Sequence, residues 1–225
     1  MSEILTTSFW SGFLEVVWIN VILSGDNAVV IAMAARSLPQ RQQRPAVLFG
    51  AGAAVLLRIL LTLVAVRLLQ FPYLKFIGAL ALLWIAVKLL VPESEGGEVH
   101  ASPSLAGAVK TILIADLVMS TDNVIAVAAV ANGSTLLLVL GLLVSIPLVV
   151  FGATLLMQLM QRYPLIITLG AAVLGWTAGE LAITDPAMVQ RLPESGPWLH
   201  WLVSAACAVL VVVVGRSLAR RTSAG

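Results

Sequence analysis

The sequence predicts an all-α polytopic membrane protein of about seven transmembrane helices, arranged as an inverted 3+3 repeat followed by one terminal helix. Three observations predict it. Of the 225 residues, 60% are apolar and only 11% charged, too little polar material to clothe a domain that faces water. The apolar residues run in blocks of roughly 18–25, the length needed to cross a hydrocarbon core about 30 Å thick. Landmarks of the first half also return, in the same order, in the second.

The blocks fall at roughly 9–35, 46–69, 73–91, 105–131, 134–157, 163–184 and 198–216. The first reads as a retained span and not as a cleaved signal peptide, because Ser2 and Glu3 supply no positive leader and the apolar stretch outruns a signal core. The short alternating segments of a porin-type barrel are absent. Residues 92–104, rich in Pro, Glu, Gly and Ser, read as a solvated cytoplasmic linker. They separate a first three-helix repeat (1–91) from a second (105–184), and residues 185–225 add a terminal helix and a basic tail.

The duplication rests on two landmarks. Asn20-Val21-Ile22-Leu23-Ser24-Gly25-Asp26-Asn27 in the first span is matched by Asp116-Leu117-Val118-Met119-Ser120-Thr121-Asp122-Asn123 in the fourth. Gly78, Trp84 and Lys88 in the third span have the spacing of Gly170, Trp176 and Glu180 in the sixth. Three spans per half send the second half into the membrane from the opposite side. In such inverted repeats, substrate sites form near the midplane where the halves meet. The seventh span has no counterpart, and its apolar run at 209–214 suits packing.

Charge placement orients the chain. With the amino terminus outside, the inner loops and tail collect Arg36, Arg41, Arg44, Lys110, Arg162, Arg216, Arg220 and Arg221, against Arg67, Lys75 and Arg191 outside. That excess predicts an outer amino terminus and a cytoplasmic carboxyl terminus in an inner membrane. A net charge of +2 makes no case for nucleic acid, and the lone Cys207 allows neither an internal disulfide nor a thiolate cluster. No phosphate-binding glycine loop, nucleophile elbow or HExxH motif occurs. The expectation is a protein that is not an enzyme, carries no prosthetic group, and draws on ion gradients or membrane potential.

An aspartate at the bilayer centre costs roughly 2.5–3.5 kcal/mol on insertion scales, so Asp26 and Asp122 each call for a partner: a cation, a proton or a basic side chain. Successive helical residues point about 100° apart, so Asp26 and Asn27 address one site only from a broken helix. Gly25 offers the break, and Ser24, Ser120 and Thr121 carry hydroxyls for the freed backbone groups. Asn20 and Asn27, like Asp116 and Asn123, stand seven residues apart and share a helix face.

The candidate metal ligands are therefore Asp26, Asp122, Asp116, Asn20, Asn27 and Asn123, with Ser24, Gly25, Ser120 and Thr121 in support. This is an all-oxygen set, suited to Mg²⁺, Ca²⁺ or Mn²⁺ over zinc or copper, and His100 and His200 lie outside it. The structural alternative is an uncharged, hydrogen-bonded packing aspartate, a better description of one such residue than of a matched pair. Arg58, mid-span, either pairs with an Asp when the site is empty or snorkels. Lys75 and Lys88 read as snorkelling residues, and Glu15 and Glu180 as lining an outer mouth or the interface. Trp10, Trp18, Trp176, Trp198 and Trp201 read as interface anchors or packing, and Gly175 with Gly179 as a close helix contact.

The two Asp-Asn signatures resemble those of the TerC family of integral membrane proteins, and within it the YjbE-type branch. The resemblance covers nearly the whole chain. It implies kinship with manganese exporters and a family name drawn from tellurium resistance. It also implies Asp26 and Asp122 as central ligands, with Asn27, Asn123 and Asp116 beside them. Many relatives carry an acid six residues before the first motif's Asp, where this chain has Asn20, so its site holds one negative charge fewer. The expectation is an exporter of a divalent cation, Mn²⁺ foremost. A non-transporting membrane scaffold or assembly factor, and an exporter of a small organic cation, remain as alternatives. The bilayer is an expected partner, and association with copies of itself or with other membrane proteins stays open.

Overall fold

A computed structural model describes residues 7–68, 73–91, 104–130, 134–191 and 197–222, with the side chains of some helical residues, Thr121 and Asp122 among them, outside the description. Nine helices make up the described residues, with no strand among them: α1 (Thr7–Leu23), α2 (Gly25–Arg36), α3 (Gln40–Leu68), α4 (Leu74–Leu90), α5 (Leu105–Val130), α6 (Thr135–Arg162), α7 (Leu165–Ile183), α8 (Pro186–Arg191) and α9 (Pro197–Thr222). Four of them, α3, α6, α7 and α9, are long and apolar enough to cross a membrane, and α1 with α2, bent by 51°, has the length and composition of a broken span or a re-entrant loop. The chain is a multi-pass membrane protein. All but Ser104 of the expected linker lies outside the described residues.

Several helices outrun their apolar blocks. α3 begins at Gln40, six residues before its block, because Gln40-Arg41-Gln42-Gln43-Arg44 can be helical in water without being apolar. α6 and α9 likewise run on to Arg162 and Thr222. The first block differs in kind. It is two helices joined at Ser24, whose backbone (φ −103°, ψ 5°) leaves the helical path, whereas its counterpart α5 is unbroken. The seven-residue spacing of Asn20 and Asn27 therefore does not put them on one helix face, since the break lies between them.

The halves interdigitate. α3 packs on α5, α1 and α2 pack on α6, and α4 packs on α7. Glycines set the closest approaches: a Cβ on Gly50 would collide with Ile112, and one on Gly141 with Val16. Val16 and Ile112 each stand ten residues before the aspartate of their Asp-Asn motif. The packing sorts the helices into two bodies that share one continuous hydrophobic core. One is α4, α7 and α9; the other is α1, α2, α3, α5 and α6. They meet where Gly78 faces Val118 and Gly170 faces Val29 and Met33.

Within the first body, Gly175 and Gly179 lie against the backbone of α9. A Cβ there would stand 2.8 Å from Ala208 Cα and 2.6 Å from Ser204 Cα respectively, so this is the close helix contact their spacing predicts. The outer face of α9 shows Val209, Leu210, Val213 and Val214, an apolar surface suited to contact with lipid.

Polar contacts tie the helix ends together at two levels. At one, the Arg36 guanidinium donates to the Leu89 carbonyl (2.9 Å), Gln161 to Gln43 (3.4 Å) and Arg216 to Thr168 (3.4 Å). At the other, Asp185 accepts the backbone N–H groups of Tyr73 (3.0 Å), Phe76 (3.2 Å) and Ala187 (2.8 Å), and Arg191 donates to the Tyr73 hydroxyl.

Candidate functional site

Buried charge collects where α1, α2, α3 and α5 converge. Arg58 of α3 is 3% exposed, and each nitrogen of its guanidinium donates a hydrogen bond. Nη2 donates to Asp116 Oδ1 at 2.5 Å, Nη1 to Asn20 Oδ1 (2.8 Å) and to Ser24 Oγ (3.1 Å), and Nε to Ser120 Oγ (2.9 Å). Ser24 is the residue type that caps helices, yet its oxygen makes no cap bond to α2 and accepts from Arg58 instead. The break between α1 and α2 is thus tied to a residue in the next helix. Asn20 is anchored on its other side by donating through Nδ2 to Ser145 Oγ, and the Ser145 hydroxyl donates to the Leu142 carbonyl (2.6 Å).

Beside this network lies a small cavity of about 10 Å³, lined by Asn27, Val30, Ile31, Ile112 and Asp116. Seating one water-sized particle takes roughly 10–15 Å³. Asp116 Oδ2 and both polar atoms of the Asn27 amide are buried with no hydrogen-bond partner. Unpaired buried polar atoms are uncommon and costly, and these belong to two residues that line one cavity. Asp116 therefore works on two sides: Oδ1 holds Arg58, and Oδ2 is left for the cavity.

The other expected residues take different places. Asp26, in the first turn of α2, accepts the Asn27 backbone N–H through Oδ1 (2.8 Å), a favourable position for a carboxylate at a helix start. Asn123 reaches back from α5 to donate to the Leu23 carbonyl at the α1–α2 break (3.0 Å). Gly25 begins α2 with open space where a Cβ would stand, so the break does not depend on its lack of a side chain. The side chains of Asp122 and Thr121 lie outside the described residues. Among the described residues, no three His, Cys, Asp or Glu side chains gather into a metal-binding group, and the oxygen set described here mixes carboxylate with amide and hydroxyl. Glu15 and Glu180 are exposed, as is Lys88, whose ammonium lies over the Trp84 ring (5.3 Å). Sequence reasoning missed Ser145 and Asp185. The one available signal for Ser145 was a hydroxyl in the middle of a long apolar run.

A model of the integral membrane protein TerC family matches residues 5–223. The chain belongs to the TerC family. Among TerC-family relatives, it is 42% identical to the uncharacterized membrane protein YjbE of Bacillus subtilis over 81% of this chain and 84% of that protein. It is 25% identical to two further uncharacterized membrane proteins of the same organism: YkoY, over 87% of this chain and 69% of that one, and YceF, over 94% and 84%. No solved structure matches this TerC-family chain.

Proposed function

We propose that the protein exports a divalent metal cation, Mn²⁺ foremost, from the cell through a site between α2 and α5 at the level of Asp116 and Asn27. One observation carries the reading. A buried carboxylate oxygen, Asp116 Oδ2, and a buried amide oxygen, Asn27 Oδ1, lack protein partners and border a single water-sized cavity. Hard oxygen donors of this kind suit Mn²⁺, Mg²⁺ or Ca²⁺. Asp26 shares unbroken α2 with Asn27 and does not line the cavity, so Asp116 is the carboxylate on which the reading rests. The site lies beside a discontinuous helix, the setting in which secondary transporters hold ions.

In this reading all seven apolar blocks cross an inner membrane as an inverted repeat, with the amino terminus outside. The reciprocal packing of α3 on α5 and of α1 and α2 on α6 supports the repeat, as do the matched Gly50–Ile112 and Gly141–Val16 approaches. Arg36, Arg162 and Arg216 then fall on the cytoplasmic side, where the end-to-end contacts join α2 to α4 and α3 to α6. Since the halves interdigitate, alternating access comes from movement of the α4–α7–α9 body against the site-bearing helices.

The test is cellular Mn and Mn tolerance in a deletion strain that carries Asp26→Ala, Asp116→Asn, Asn27→Ala or Asp122→Ala. Loss of rescue by the Asp116 and Asn27 variants, at wild-type membrane levels, is the expected result. Full rescue by both sinks the proposal, and it would be the outcome for a scaffold whose work does not use these residues.

A further inference from the structure

We propose that Arg58 is a tethered cation that holds the place of the transported ion, so that ion binding and the Arg58–Asp116 pair exclude one another. The inference rests on the divalent-cation reading above and names how that site is controlled.

Its first support is where the guanidinium lies. Asn20 and Asp116 stand at the same place in their motifs, six residues before the aspartate, and Ser24 and Ser120 stand two residues before it. Arg58 bonds to both members of both pairs. One side chain, contributed by one half only, thus occupies the place where the two motifs cross. It has no counterpart to share that place with: α6, the partner of α3 in the repeat, brings the neutral Ser145 to Asn20 instead.

The second support is the division of Asp116. Its two oxygens look at two cation positions, the guanidinium on Oδ1 and the cavity on Oδ2. A divalent ion on Oδ2 would bring three positive charges onto one carboxylate in a low-dielectric interior, where like charges repel far more strongly than in water. An arginine cannot relieve that by losing its proton, as a lysine can, so it must move.

The third support is the side of the Asn27–Asp116 level on which the guanidinium lies. Val30 and Ile31 continue from Asn27 towards Arg36, and Ile112 precedes Asp116 towards Leu105, so the cavity lies on the side of Asn27 and Asp116 that faces those helix ends. Asn20, Ser24 and Ser120 lie on the other side of the Asn27–Asp116 level. Arg58, bonded to Asn20, Ser24 and Ser120, thus stands on the opposite side of Asp116 from the cavity, and an ion that displaces it would free the groups on that side.

The experiment uses the full chain purified in detergent, stripped with chelator, with Mn²⁺ alone as the probe. Affinity is read by calorimetry and stabilisation by thermal unfolding. Arg58→Gln should bind Mn²⁺ about tenfold more tightly than the wild type, within the roughly 5–150-fold range of coupled sites. Arg58→Lys, which keeps the charge, should stay near the wild type. Arg58→Gln combined with Asp116→Asn should show no gain. If Arg58→Gln unfolds in chelator, Mn²⁺ should restore it while leaving the double variant unchanged. Binding by the wild type with no gain in Arg58→Gln overturns the tethered-cation role alone. So does an equal gain in Arg58→Lys, or an Arg58→Gln protein that Mn²⁺ fails to restore while the double variant folds. Absence of Mn²⁺ binding by the wild type and by Arg58→Gln overturns the cation reading and this inference with it.

Discussion

Replacing Arg58 by methionine in metal-free protein should show how strongly the site depends on its internal pair. The stem is replaced by a chain of similar bulk, and four hydrogen bonds disappear, to Asp116, Asn20, Ser24 and Ser120. Asn20 retains Ser145, and the serine hydroxyls can turn to nearby carbonyls, so the neutral partners lose about 1 kcal/mol each at most. Asp116 loses its counter-charge while 4% exposed, and breaking a buried pair in this way typically costs about 3–5 kcal/mol. Asp116→Asn strands the guanidinium and should cost a similar amount. The double variant, Arg58→Met with Asp116→Asn, leaves neither charge stranded and should cost about 2 kcal/mol, since apolar replacements of a whole buried pair are often near neutral. The coupling is then about 3 kcal/mol or more. It can be measured by reversible denaturant unfolding in micelles, at pH 7 with chelator, followed by circular dichroism. Additive single-variant losses, within about 0.5 kcal/mol, would refute the pairing argument.

Three further outcomes follow from the packing. Gly179→Val should cost about 1–3 kcal/mol by overpacking, because the new Cβ would meet the Ser204 backbone (2.6 Å), which cannot step aside as a side chain can. Thermal unfolding checks it, and an unchanged midpoint would remove the α7–α9 seam. Gly25→Ala should leave stability within about 0.5 kcal/mol of the wild type or raise it, since nothing stands near the new methyl; a large loss would mean that glycine makes the break. Asp185→Ala should cost about 2 kcal/mol at pH 7 by freeing the N–H groups of Ala187, Tyr73 and Phe76. Burial alone would raise the Asp185 pKa, but those bonds outweigh it and hold the group below its ordinary 3.8. The folded-state value is thus the depressed one. Its stabilisation is present above the unfolded value and lost as pH falls from about 4 through the folded value. The Asp185→Ala protein should show a shallower loss over that window in pH-dependent unfolding.

The helices were legible because lipid demands long apolar runs, and Asp116, Asn27 and Arg58 were legible because polar groups in such runs are conspicuous. Pairing was harder to read. The sequence offered Arg58 an unspecified aspartate, and the register of α3 against α5 selects Asp116. The break was expected at Gly25 and falls at Ser24, since what holds Ser24 is a guanidinium more than thirty residues away and not a local propensity. Ser145 looks ordinary because a serine in a helix normally bonds back to its own turn, as this one does to Leu142; its bond from Asn20 exists only once α1 meets α6. Asp185 was missed because the three N–H groups it collects come from two separate helix starts. It also fixes Tyr73, whose φ of 66° is unfavourable for a side chain of its size.

The glycine seam between α7 and α9 makes the last helix a splint. A label or fusion carried beyond Arg221 is rigidly coupled, through Ser204, Cys207 and Ala208, to the body that bears no site. A probe on the Gln40–Arg44 turn rides instead with the helices that carry Arg58 and Asp116. In the proposed alternating access, distances between those two handles would register the movement, whereas two probes on either handle alone would stay silent.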